Sequence, residues 1–206
     1  MDLVVGNLGN NYKYQANEDE TFDIFYNDFD GNNSGDIVLS YYNDGEQYPL
    51  RGRQCSSEQI PAIKLKFDDY DAFSIATLED VYTEPALENS LHYFTKTFSS
   101  VYLENVGNSF NMSKLPVLAQ LSSVNKILKK DIDDDGFVDI IISGNMFNSE
   151  VETPRNDGSV GALLKFEPNS GFKAIPARQS GLFLNGDIKD MDCLLYTSPS
   201  PRDLST

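Results

Sequence analysis

Five carboxylates crowd into residues 131–139, and four of them, Asp131, Asp133, Asp135 and Asp139, are spaced to share one cation, with Gly136 between the third and the fourth of these. Carboxylates at i, i+2 and i+4 converge on one point only where the backbone curls around it. Gly136 permits that curl, because glycine tolerates positive φ. Oxygen donors without His or Cys suit a hard cation, Ca2+ foremost, and the seventh position of such a loop, Phe137, offers a backbone carbonyl. An EF-hand would place a bidentate Glu at position twelve and a helix behind it. Position twelve here is Ile142, inside the run Ile140-Ile141-Ile142. The pattern therefore predicts a calcium loop that feeds a β-strand.

The loop recurs. Asp28, Asp30, Asn32, Ser34 and Asp36 repeat the spacing ahead of Ile37-Val38-Leu39, with Asn33 where Gly136 stands. Asn is the next best residue for a left-handed position. Asp2 to Asn7 matches Asp139 to Asn145 with one residue fewer. Lys189-Asp190-Met191-Asp192 matches Lys130 to Asp133 and then breaks off, which adds Asp190 and Asp192 to the expected metal ligands. Two complete copies and two cut ones make a repeat.

The pattern D-x-D-x-[DN]-G-x-x-D before an apolar strand resembles the FG-GAP or VCBS repeat, which builds the β-propellers of integrin alpha chains and many bacterial surface proteins. The strings DLVVGNLGNNYKY, YPLRGRQCSS, AQLSSVNKIL and SEVETPRNDG resemble bacterial VCBS-repeat proteins of the cartilage acidic protein type, over roughly residues 1–192. The resemblance implies an all-β propeller of four-stranded blades with structural calcium. It further implies a binding module of an exported or cell-surface protein, with a protein or glycan as partner. The alternatives are a propeller polysaccharide lyase or hydrolase, and a purely structural spacer.

The chain has 206 residues, with 16 Lys and Arg against 32 Asp and Glu, a formal charge of −16. That balance excludes a nucleic-acid interface, which needs basic patches. No stretch has the apolar length of a membrane span. No export signal opens the sequence, and Met1 stands where a repeat residue just before a last loop Asp would stand. The expectation is thus a partial propeller. Residues 193–203, CLLYTSPSPRD, are what a sequencing-library adapter gives on translation, so 193–206 reads as a non-native tail. Setting Cys193 aside with it leaves Cys55, which forms no internal disulfide.

Elements follow from periodicity. Residues 21–27 alternate with Phe22, Ile24 and Tyr26 on one side, a strand pattern. A second strand covers 36–42, and Asn43-Asp44-Gly45 marks a turn. Residues 56–96 read as a helical insertion, with Asp71 as N-cap of AFSIATLEDVY and Pro85 opening a further helix, PALENSLHYF. The spacing from Asp28 to Asp131 exceeds that from Asp131 to Asp190 by about the length of this segment. Hairpins are expected over 99–116, around Gly107-Asn108, and over 162–176, around Asn169-Ser170-Gly171. Strand, calcium loop, strand and hairpin together make the four antiparallel strands of one blade.

Cys55 and His92 are the nucleophile and imidazole to consider for hydrolysis. They read instead as a small packed residue and an ordinary helix residue. A ligand site is expected where three long segments leave equivalent strands. These carry Tyr12, Lys13 and Tyr14; Arg51 and Arg53; and Glu150, Glu152 and Arg155. Planar Arg donors beside Tyr rings suit carboxylates or sugars. The competing role for Arg51 and Arg53 is to pair with the acidic loops and so pin the helical insertion to the propeller.

Overall fold

The computed structural model describes residues 1–149, 153–168 and 170–192, so the expectations for Glu150, Glu152 and the 193–206 tail lie outside the described residues. In chain order, β1 (Leu3–Val5) precedes β2 (Phe22–Asn27), β3 (Asp36–Asn43) and β4 (Glu46–Pro49). Five short helices follow: α1 (Arg53–Gln59), α2 (Ala62–Lys66), α3 (Tyr70–Ser74), α4 (Leu78–Tyr82) and α5 (Glu84–Glu88). The sheet pattern then resumes with β5 (Leu91–Thr95), β6 (Val101–Asn105), β7 (Phe110–Lys114) and β8 (Val124–Lys130). β9 (Asp139–Gly144), β10 (Ala162–Glu167), β11 (Gly171–Ile175) and a helical turn, α6 (Ala177–Ser180), complete the order. The strands form three antiparallel sheets, ordered β1-β6-β7, β11-β10-β9-β8 and β4-β3-β2-β5.

The described residues form two compact units, one built from 1–11, 99–149 and the described part of 154–192, the other mainly from 12–98. In the first unit, β9 is the buried strand. Its β-branched Ile140 and Ile142 are 3% and 1% exposed, and they pack with Ala162 and Leu164 of β10. Val4 of β1 and Tyr102 of β6 reach the same cluster, so two sheets share one apolar core. The expected strand–loop–strand–hairpin order holds for β8 to β11. It fails for the hairpin β6–β7, which pairs with β1 through Leu3–Leu103 and Val5–Val101 rather than with β3. What separates β1 from β6 is therefore the whole of 12–98, more than the helical stretch expected at 56–96.

In the second unit the helices lie on one face of the β4-β3-β2-β5 sheet. Phe25 and Val38 share a core with Ile60, Ile63, Leu78 and Val81. The alternation read over 21–27 holds, and the packing settles which side is inside. β2 buries Asp23 and Phe25 and leaves Ile24 and Tyr26 exposed, because the helices cover the other side. Alternation marks two faces of a strand, and packing partners decide which is inside. Asp69, not Asp71, caps α3, its side chain accepting from Ala72 N at 2.8 Å. Thr77 and Asp80 form a capping box that starts α4 afresh, so AFSIATLEDVY breaks into two helices.

The helix expected through LHYF is also corrected. α5 ends at Glu88, where Asn89 Nδ2 bonds Pro85 O and Ser90 Oγ bonds Leu87 O. Leu91–Thr95 then joins the edge of β2 as β5. His92 is accordingly a strand residue, and it lies opposite Phe25. Pairing with an open sheet edge outweighs weak helix propensity over a short aromatic segment.

Candidate functional site

The two acidic loops share four hydrogen bonds at matching positions. In the first, Asp28 accepts from Asn32 N at 3.0 Å and Asn33 N at 2.8 Å. In the second, Asp131 accepts from Asp135 N at 3.1 Å and Gly136 N at 2.8 Å. One step on, Asn32 Oδ1 accepts from Ser34 N, and Asp135 Oδ1 from Phe137 N. Each last Asp reaches back across the loop: Asp36 to Phe29 N at 3.0 Å, Asp139 to Ile132 N at 3.2 Å. Positive φ occurs at Asn33 and Gly136, as the spacing predicts, and also at Gly31 and Asp134, which it does not reveal.

This curl gathers Asp28, Asp30 and Asp36 in one loop and Asp131, Asp133 and Asp139 in the other. Within each trio the carboxylate oxygens lie within 4.8 Å of one another, a spacing that could hold a metal ion. In both, the first ligand is half-buried, the second exposed and the last buried. Like charges this close repel, and burial removes the water that would screen them. Burial, then Asp30 and Asp28, raise the Asp36 carboxyl above the ordinary Asp value, against the opposing bond from Phe29 N. The second loop has its own counter-charge. Lys165 of β10 pairs with Asp133 and, at 3.1 Å, with Asp135, and these bonds raise its pKa. The bond from Phe137 N, followed by Lys165, holds Asp135 below the usual carboxylate range.

Asp2 occupies the place of a last loop Asp. Its Oδ1 accepts from Asn105 N at 3.0 Å, as Asp139 Oδ1 accepts from Phe166 N at 3.0 Å. The register matches: Leu3, after Asp2, pairs with Leu103, two residues before that donor, and Ile140 pairs with Leu164 likewise. The repeat read from Asp2 to Asn7 is thus a repeat in space. Asp190 behaves differently. It is 2.5 Å from Lys126 Nζ, which with Met191 N holds its pKa down, and among the described residues neither it nor the exposed Asp192 joins a carboxylate cluster.

The expected ligand residues divide between the two units. Lys13, Tyr14, Arg51 and Arg53 line one cleft of about 320 Å3 in the second unit, together with Tyr41, Tyr48 and Tyr70. Tyr12 packs edge-on against Tyr14 and Phe98. Arg53 is tied to the insertion: Nε donates to Phe67 O at 2.7 Å, and Nη2 donates to Asp68 O at 3.1 Å and Lys64 O at 3.4 Å. It therefore pins α1 to the α2–α3 connection through main-chain carbonyls rather than acidic loops. Arg155 belongs to the first unit, where it pairs with Asp157 at 2.8 Å and lies over the Phe147 ring. Tyr41, Tyr48 and Tyr70 were not legible as site residues, because nothing in their local sequence sets them apart from packed aromatics.

His92 also differs from expectation. Its Nε2 is 2.6 Å from Oδ1 of Asp23, which is 3% exposed and also accepts from Thr21 Oγ1 at 2.6 Å. The imidazole stacks on Phe25, with ring centroids 4.2 Å apart. Cys55 does not line the cavity that His92 lines. The dyad gives a buried carboxylate its partner, which a buried charge requires. Comparison with protein-family models, curated proteins and solved structures finds no match. No helix among the described residues is long and apolar enough to cross a membrane.

Proposed function

We propose that this chain is a calcium-stabilised β-propeller module of the FG-GAP/VCBS kind that binds a partner protein or glycan outside the cytoplasm. The observation that carries the reading is the duplication of the acidic loop, with four matching hydrogen bonds, each copy gathering three carboxylates ahead of a sheet strand. In each loop the side-chain oxygen of Asn32 or Asp135 and the carbonyl of Ser34 or Phe137 would add to the three carboxylates. That approaches the six to eight oxygens that Ca2+ takes, and exceeds what Mg2+ usually draws from protein. The ion's part is structural: it neutralises the trio and fixes the turn into β3 or β9.

The propeller reading has two supports. Two sheets of the first unit, related by the Asp2 and Asp139 register, share one apolar core, as neighbouring blades do. In the second unit Ile24, Tyr26, Ile37, Leu91 and Tyr93 lie on the sheet face away from the helices and remain exposed, a surface suited to another sheet. The site of action follows from calcium supply, since modules with affinities of about 10⁻⁴–10⁻³ M fill outside cells. Native mass spectrometry and a melt with and without chelator test the reading. Two bound Ca2+ ions and a higher melting temperature with calcium are expected. Equal melting with chelator and with calcium refutes it.

A further inference from the structure

We infer that the cleft between Tyr14 and Tyr70 is a binding site for a uronic acid, a sugar ring that carries a carboxylate; this rests on the binding-module reading above and names its ligand class. The first observation is charge. The chain carries twice as many acids as bases. Yet every charged residue lining this cleft is a cation: Lys13, Arg51 and Arg53. The contrast within the same unit is sharp, since the cavity beside His92 is lined by Glu79, Glu84 and Glu88.

The second observation is aromatic. Tyr14 and Tyr41 meet at a tilt with centroids 4.7 Å apart, and Tyr48 lies 6.3 Å from Tyr41. Tyr70 closes another wall and is 60% exposed. Two of the cations sit over these rings. Lys13 Nζ is 5.0 Å from the Tyr14 centroid and Arg53 Cζ is 5.3 Å from that of Tyr70. Tyrosine faces take the C–H side of a sugar ring, and tyrosine hydroxyls exchange hydrogen bonds with sugar hydroxyls. Fixed cations at the rim select a carboxylate. Arg53, already held by three carbonyls, keeps its charge in place without further ordering on binding. A volume of about 320 Å3 falls at the small end of ligand clefts, which suits a short stretch of glycan rather than a protein surface.

Calorimetry gives the affinity, and tyrosine emission is a second readout, since the chain has no Trp and four of its eleven Tyr line the cleft. The probes are the trisaccharide of galacturonic acid, neutral maltotriose, succinate and a short glutamate peptide. The uronic trisaccharide should bind tightest. Lys13→Glu should weaken it about tenfold, the scale of one charge-assisted hydrogen bond. Tyr70→Ala should weaken it about fivefold, the scale of one ring contact. Both residues are exposed, so both variants should melt like the parent in calcium. Maltotriose, succinate or the peptide binding as tightly as the uronic trisaccharide, or no binding change in either variant, overturns the inference. The calcium melt on the same samples separates the two claims. Uronate binding without calcium stabilisation leaves the cleft standing and removes the module reading. Calcium stabilisation without uronate binding does the reverse.

Discussion

Asp139→Asn tests whether a loop carboxylate serves the fold as well as the ion. The side chain is 2% exposed and spends one oxygen on Ile132 N and the other on Phe166 N. It thereby ties the loop to β9 and β9 to β10. Asn keeps the shape but presents one oxygen and one amide nitrogen. One backbone N–H then faces a donor in a buried place, at a cost of about 1–3 kcal/mol. Relief of repulsion from Asp131 and Asp133 offsets part of that, so about 2 kcal/mol remains in chelator. For a chain of this length each kcal/mol moves the melting temperature by about 2–4 °C, hence a drop of about 4–8 °C. Calcium should widen the gap. At a hundredfold excess over Kd an ion adds about 2.7 kcal/mol to the parent, and the variant forfeits that share in its second loop. The assay is a melt followed by circular dichroism, in EDTA and across a calcium series, with Asp133→Asn as comparison. Asp133 is exposed and its carboxylate meets Lys165, so its variant should lose the second loop's share of the calcium response while changing little in EDTA. An Asp139→Asn protein that melts like the parent in EDTA would refute the reasoning, because the two backbone bonds would then carry nothing.

Three further outcomes are expected. Lys165→Met removes the ammonium that pairs with Asp133 and Asp135, so calcium affinity of the second loop should rise about three- to tenfold, read by calorimetry; unchanged affinity counts against competition between lysine and ion. Arg53→Ala gives up bonds to three carbonyls and should lower stability by about 2 kcal/mol, and Arg53→Lys should not restore it, since a single ammonium cannot span them; a parent-like melting curve for Lys refutes this. The third concerns pH. Burial and the neighbouring Asp30 and Asp28 raise the Asp36 carboxyl, so the ion-free fold holds that proton more tightly than the unfolded chain and loses stability as pH rises from about 4 toward neutrality. Calcium must displace the proton, so the calcium-induced rise in melting temperature should shrink as pH falls from about 7 to about 4.5, and an equal rise at both ends would contradict it.

What the sequence discloses is set by distance along the chain. The acidic loops are legible because the bonds that curl them join residues no more than seven apart, from Asp28 with Asn33 to Asp139 with Ile132. Even there the left-handed residue at Asp134 escapes notice, since nothing in an Asp side chain announces it. Lys165 escapes for another reason: it reaches the second loop only through the pairing of β10 with β9. What the local pattern leaves open or misleads about has one cause. A period-two pattern shows that β2 has two faces, but helices more than thirty residues later decide which is buried. Residues 91–95 could complete a helix locally, and the edge of β2 takes them instead. The hairpin β6–β7 looks like the completion of the sheet just before it, yet it returns to β1, whose three residues are too short to signal a strand. The cleft mixes both cases. Lys13, Tyr14 and Arg51 belong to loops whose length already asks for a role, and Arg53 opens α1 just after one, whereas Tyr41, Tyr48 and Tyr70 reach it from a strand, a strand and a helix. A binding surface assembled in this way offers no motif, and it becomes visible only when charge and ring placement are read together in space.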